Sequence, residues 1–192
     1  PLRNERGQLR PGHATTTLIS TGKRRILVDP GLPEKVLLPR LIERANLRPG
    51  DITDVFLTSF NPEARRGITA FDSARWLISE RERESLGAGL ATRLKELATH
   101  HEPDEDLKAT LQQEVAILSR CEAAEDTIAD RVDLFPMPGV TPGLCGLLIE
   151  GQRFTTLICG DAVPTIEHME EGKVLTPAND VAQARESFQE AL

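Results

Sequence analysis

A chain of 192 residues is long enough for one domain with a full core, or for two sheet layers with flanking helices, and too short for two independent enzyme domains. Hydrophobic residues at 39% and charged residues at 28% exclude wholesale disorder. The net charge of -7, from 23 Lys+Arg against 30 Asp+Glu, disfavours nucleic acid as a partner, because an acidic surface repels phosphate backbones.

No apolar run approaches the ~18–20 residues of a spanning helix, so no membrane partner is expected. Residues 1–10 are polar and basic, unlike the apolar centre of a signal peptide. The first residue is Pro1 and not Met, which implies that an N-terminal segment has been removed or omitted.

The elements then alternate. Thr15 to Ser20 is short and β-branched; Thr21-Gly22-Lys23 turns the chain into a second strand over Arg25 to Asp29, which predicts a β-hairpin ended by Pro30-Gly31. A helix follows over Glu34 to Ala45, with Leu37, Leu38, Leu41, Ile42 and Ala45 on one side and Pro39 in its early turns or at a kink. Asp54 to Thr58 reads as a buried strand leading into a polar loop, Ser59 to Gly67, and Ala74 to Ile78 as another short strand.

Two amphipathic helices are marked by Leu86, Leu90, Leu94 and Leu97, then by Leu107, Leu111, Val115 and Leu118. Residues 100–103, His-His-Glu-Pro, join them as an exposed turn, and Asp104 is a candidate N-cap. This helical hairpin, about residues 80–122, is expected to lie outside the ββ core and to keep a second face for a partner. Three strand candidates follow: Val132 to Phe135, Gly146 to Glu150 and Arg153 to Cys159, the last two joined at Gly151-Gln152. A short helix over Thr165 to Glu171 and a final one from Asp180 onward, with Val181, Ala184, Phe188 and Leu192 on one face, complete a single α/β domain spanning 1–192.

Cys121, Cys145 and Cys159 are far apart and odd in number, which points to free thiols, a reducing compartment and a cytoplasmic location. Cys159 is expected to be buried in its strand.

Three stretches carry a resemblance. They are residues 14–19 with 26–31 (ATTTLI, ILVDPG), residues 52–58 (ITDVFLT) leading into the loop to Gly67, and residues 138–143 (PGVTPG) with 156–162 (TLICGDA). In this order the chain resembles the metallo-β-lactamase superfamily. The resemblance implies an αββα sandwich, C-terminally truncated here and carrying the helical hairpin as an insertion.

It also implies where metal chemistry would sit. An intact member carries two zinc ions, held by a Thr-His-x-His-x-Asp-His loop, a later His in Gly-His-Thr-Pro-Gly, a bridging Asp and a last His. Those positions fall here on Ser59, Asn61, Glu63 and Ala64, then Val140, then Asp161. The last His has no counterpart before Leu192. Every imidazole is replaced, so no zinc or other cofactor is expected and no catalytic residue is assigned. Glu63 and Asp161 are the weak candidates for a single oxygen-preferring cation.

Other groups carry alternatives. Ser59 could be a nucleophile, yet no His lies in its motif region, and a loop-capping hydroxyl is the plainer reading. His13 could fold over the pocket mouth. Asp161 could hold its own Gly-Asp turn through loop N–H groups. Arg65-Arg66 could bind an anion or sit in solvent, and His168 lies on the short helix away from the ligand positions. The readings of function are then a non-catalytic protein that binds a small molecule or acts as a scaffold, with Val140 and Leu144 lining the pocket; a hydrolase built on Glu63 and Asp161; and an assembly subunit or homodimer using the hairpin.

Overall fold

The computed structural model describes residues 2–3, 9–10, 14–99 and 104–192. Strands β1 (Leu2–Arg3) and β2 (Leu9–Arg10) form a two-residue antiparallel ladder. The first large sheet runs β3 (Thr17–Thr21), β4 (Arg24–Val28), β5 (Asp54–Leu57), β6 (Arg75–Ile78), β7 (Cys121–Ala123). Strands β3 and β4 make the expected hairpin, and β4 to β7 are parallel. The second sheet is antiparallel, in the order β11 (Thr155–Ile158), β10 (Cys145–Glu150), β9 (Val132–Pro136), β8 (Thr127–Ala129).

Side chains alternate across the first sheet and divide the core in two. Ile26, Val28, Phe56 and Leu77 meet Val132, Cys145 and Leu147 between the sheets. Leu27, Val55, Leu57, Trp76 and Ile78 face helices. These helices are α1 (Glu34–Ala45), α3 (Glu80–Thr99) and α4 (Glu105–Arg120). A one-turn helix α2 (Pro62–Arg65) lies in the loop after β5. On the far side, α5 (Ile166–Glu171) and α6 (Val181–Glu190) follow β11, and a third cluster joins Met137, Val140, Leu144, Ala162 and Ala184. The layers are therefore helices, sheet, sheet, helices.

Both faces of the central β5 are covered, which is why all four of its residues are buried. Its first residue, Asp54, is fully buried and is held by Arg24 at 2.7 Å and Arg75 at 2.9 Å, the leading residues of the two flanking strands. Thr53 donates a further hydrogen bond to it at 2.6 Å. This satisfied carboxylate fixes the register at the start of three parallel strands.

Several elements differ from the sequence-based expectation. Strands β7 and β8 are additional: three residues each, too short for a periodic signal. The helical hairpin lies outside the inter-sheet core, and part of its apolar surface is covered by the first sheet. It connects β6 to β7, and Leu90, Leu97, Leu111 and Leu118 pack on the first sheet beside Trp76 and Ile78. Asp104 caps α4 as expected, accepting from Leu107 N at 3.0 Å.

On α1, Leu37 and Leu41 are buried while Ile42 is exposed, and Pro39 sits inside the helix. On α6, Ala184, Ser187 and Phe188 are buried whereas Val181 is exposed, as is Leu192 beyond the helix end. The β10–β11 turn spans four residues, closed by Gly151 N donating to Phe154 O at 3.0 Å. Cys121 and Cys145 are buried free thiols, and Cys159 follows β11, half-buried. Burial pushes the Cys121 thiol up to about 11 and the Cys145 thiol up to about 12. No described helix is long and apolar enough to cross a membrane.

Candidate functional site

The C-terminal ends of parallel strands leave their loops on one edge of the sheet, the usual place for a site in such sheets. Here β4 is followed by Asp29, β5 by Thr58 and Ser59, and β6 by Ser79. The loop between β9 and β10 and the turn after β11 meet them from the second sheet.

Three of the expected positions come together. Asp161 accepts a hydrogen bond from Asn61 Nδ2 at 2.7 Å and one from Ser59 Oγ at 3.4 Å, across 100 and 102 positions of sequence. Ser59 is fully buried; Asn61 and Asp161 are half-buried. The carboxylate is thus engaged by side chains from the loop after β5, and not by the N–H groups of its own turn as the sequence suggested.

The other three positions do not join them. Glu63 is about half exposed, with its carboxylate 3.6 Å from Arg66. Ala64 is buried and has no donor atom. Val140 and Leu144 are buried packing residues of the third cluster. Backbone bonds from Asn179 N to Val140 O (3.1 Å) and Asp180 N to Gly139 O (2.9 Å) tie the entry of α6 onto this loop.

Among the described residues Ser59 has no imidazole partner: His168 lies on α5, its Nδ1 2.9 Å from Oγ1 of the N-cap residue Thr165. His13, His100 and His101 fall outside the described residues. Arg65 is neither solvated nor a free anion site. It is buried, donates to Phe60 O at 2.8 Å, lies 4.1 Å over the Phe60 ring and pairs with Glu114 of α4.

Two acids that organise this edge were not read as site residues. Asp29, almost fully buried at a positive φ of 47°, accepts from Thr58 N at 2.8 Å and Thr58 Oγ1 at 2.7 Å. Burial raises its carboxyl to about 7; the two Thr58 bonds oppose that rise, and the charge of Asp161 adds to it. Gly160 must be glycine here, with φ of 53° and a missing Cβ that would lie 2.4 Å from Thr58 Oγ1. Glu82, fully buried in the first turn of α3, accepts from Phe60 N at 3.2 Å and Gly143 N at 2.9 Å. Ser79 Oγ donates to Gly143 O at 2.5 Å. Glu82 and Ser79 therefore clamp together the loops that carry Asn61 and Val140. The sequence placed Asp29 at the end of a strand stopped by Pro30-Gly31, whereas nothing in the alternating charges of residues 80–84 marks Glu82.

The sequence matches the profile of the metallo-β-lactamase superfamily over residues 9–192. The chain belongs to this superfamily. No curated protein sequence matches it.

Among solved structures it is similar to AidC, a dizinc quorum-quenching lactonase in complex with a product (TM-score 0.69, 22% identity, covering 91% of this chain and 66% of that one). It is also similar to a probable metal-dependent hydrolase from Staphylococcus aureus (TM-score 0.69, 18% identity, 92% and 68%). A third is a B. thuringiensis AiiA variant with N-decanoyl-L-homoserine bound at its active site (TM-score 0.62, 21% identity, 90% and 72%). The superfamily chain described here thus spans about two thirds of the length of those solved chains.

The described residues do not fit a dizinc centre. Among them no group of three or more His, Cys, Asp and Glu converges on one point. Ala64 and Val140 offer no ligand atom, Ser59 and Asn61 are neutral oxygen donors, and Glu63 is turned to Arg66.

Proposed function

We propose that this superfamily member is non-catalytic and acts by binding or as a scaffold, without the dizinc hydrolysis of the structures it resembles. The observation that carries this is the 2.7 Å hydrogen bond from Asn61 Nδ2 to Asp161. At the position of the bridging carboxylate, an amide donates to the oxygen that a metal would need. A tightly held zinc needs imidazole or thiolate around it, and generating hydroxide near neutral pH needs that zinc. The described loops supply a neutral hydroxyl, an amide, an alanine and a valine instead. The alternative pairing of Glu63 with Asp161 finds less support, since Glu63 reaches towards solvent and Arg66.

The test is elemental analysis of protein purified without chelator or metal-affinity resin, together with hydrolysis assays on lactone, thioester and phosphodiester substrates. The expected result is well under one zinc per chain and no turnover above background. Stoichiometric zinc that is lost in Asp161→Ala, or turnover abolished by that substitution, would overturn the proposal.

A further inference from the structure

A second feature lies away from the Asp161 edge, along the seam between α3 and α4. It is a groove of about 390 Å³, within the size range of small-molecule sites. Its α3 wall is formed by Arg83, Gly87, Leu90, Ala91 and Leu94, positions that recur every three or four residues and so make one stripe about 16 Å long. Val115, Leu118 and Ser119 form the α4 wall. Leu90 and Leu118 are core residues, so the floor of the groove is the core itself. Gly87 widens it: a Cβ built there would meet nothing within 4 Å.

One end carries exposed polar donors. Arg83 makes no ion pair among the described residues, and neither its guanidinium nor the Ser119 hydroxyl has a hydrogen-bond partner among them. Arg65 and Arg120, which together with Arg83 act on the nearby Cys121 thiol, are already paired, with Glu114 and Asp72. Glu84 is the acid among the lining residues and lies at the same end as Arg83. The groove therefore combines an open apolar trough with a guanidinium and a hydroxyl, both exposed, on facing helices. A planar carboxylate head matches that donor pair, and an unbranched chain matches the stripe.

We propose that the α3–α4 groove binds a linear aliphatic monocarboxylate, with its chain along Gly87, Leu90, Leu94 and Val115 and its head on Arg83 and Ser119. The proposal is independent of whether Asp161 supports hydrolysis.

Decanoate and decanol, titrated by calorimetry into the full chain, test it. Decanoate is expected to bind saturably, one per chain, and more tightly than decanol. Arg83→Gln should weaken decanoate about tenfold and leave decanol unchanged, one charge-assisted contact being worth about that factor. Glu84→Gln should strengthen decanoate. Gly87→Leu fills the groove at a helical position with open space, so it should abolish binding of both while the melting temperature stays at or above that of the wild type.

Absence of saturable decanoate binding would overturn the proposal, as would decanoate affinity unchanged by both Arg83→Gln and Gly87→Leu. A wild type that sediments as a dimer, and as a monomer after Gly87→Leu, would also overturn it, because a second copy would then be the occupant. Should Gly87→Leu fold poorly, the contrast between decanoate and decanol in Arg83→Gln decides alone.

Discussion

Replacing Glu82 tests whether one buried carboxylate holds the two loops of the candidate site together. In Glu82→Ala, Phe60 N and Gly143 N both lose their acceptor in positions closed to water. A buried donor left unpaired costs about 1–3 kcal/mol, so the pair costs roughly 2–6 kcal/mol. For a chain of this length each kcal/mol lowers Tm by about 2–4 °C, so a mid-range loss of ~4 kcal/mol gives a fall of about 8–16 °C. Glu82→Gln keeps one acceptor oxygen and sets an amide NH2 against the other N–H, so roughly half that fall is expected. Thermal melts followed by far-UV circular dichroism, with urea titrations to obtain the free energy, provide the measurement. A Tm for Glu82→Ala within ~2 °C of the wild type would refute the clamp, since it would mean that both N–H groups find other partners.

Three further outcomes are expected. Asp29 keeps its proton to about pH 7 in the folded chain but releases it near its ordinary value of 3.8 when unfolded. Its contribution is fully present below about pH 4 and is lost as pH rises towards 7, by at most ~4 kcal/mol. Asp29→Asn, which suits the positive φ and keeps an acceptor for Thr58 N, should flatten that dependence in melts from pH 4 to 8; an unchanged slope would contradict it. Asp161→Ala should cost about 1–2 kcal/mol in urea titration by removing the acceptor of Asn61 and Ser59, and an unaltered midpoint would count against that network. Gly143→Ala places a Cβ 2.1 Å from Glu82 N and 2.5 Å from its Cα, a backbone clash that should reduce soluble yield and Tm more than Asp161→Ala does.

What the sequence by itself determined was carried by local chemistry. The Thr-Gly-Lys turn between two β-branched runs set the first hairpin, leucines three and four residues apart set α3 and α4, and Asp104 set the start of α4. The motif positions placed Ser59, Asn61 and Asp161 on one edge, because strand order and loop position follow from the fold class.

The tertiary structure alone decided the rest, since those outcomes depend on contacts distant in sequence. Strands β7 and β8 are three residues long and are strands only through their neighbours. Which leucines of the hairpin are buried was decided by the sheet that β7 completes. Arg65, which reads as a solvated loop cation, is buried because Phe60 and Glu114 enclose it from elements far apart in the chain. Glu82 stands in a run of alternating charges, and only the convergence of two loops on the first turn of α3 turns one of those charges inward. A carboxylate is tolerated there because two backbone N–H groups, unavailable to any local pattern, replace the water it loses.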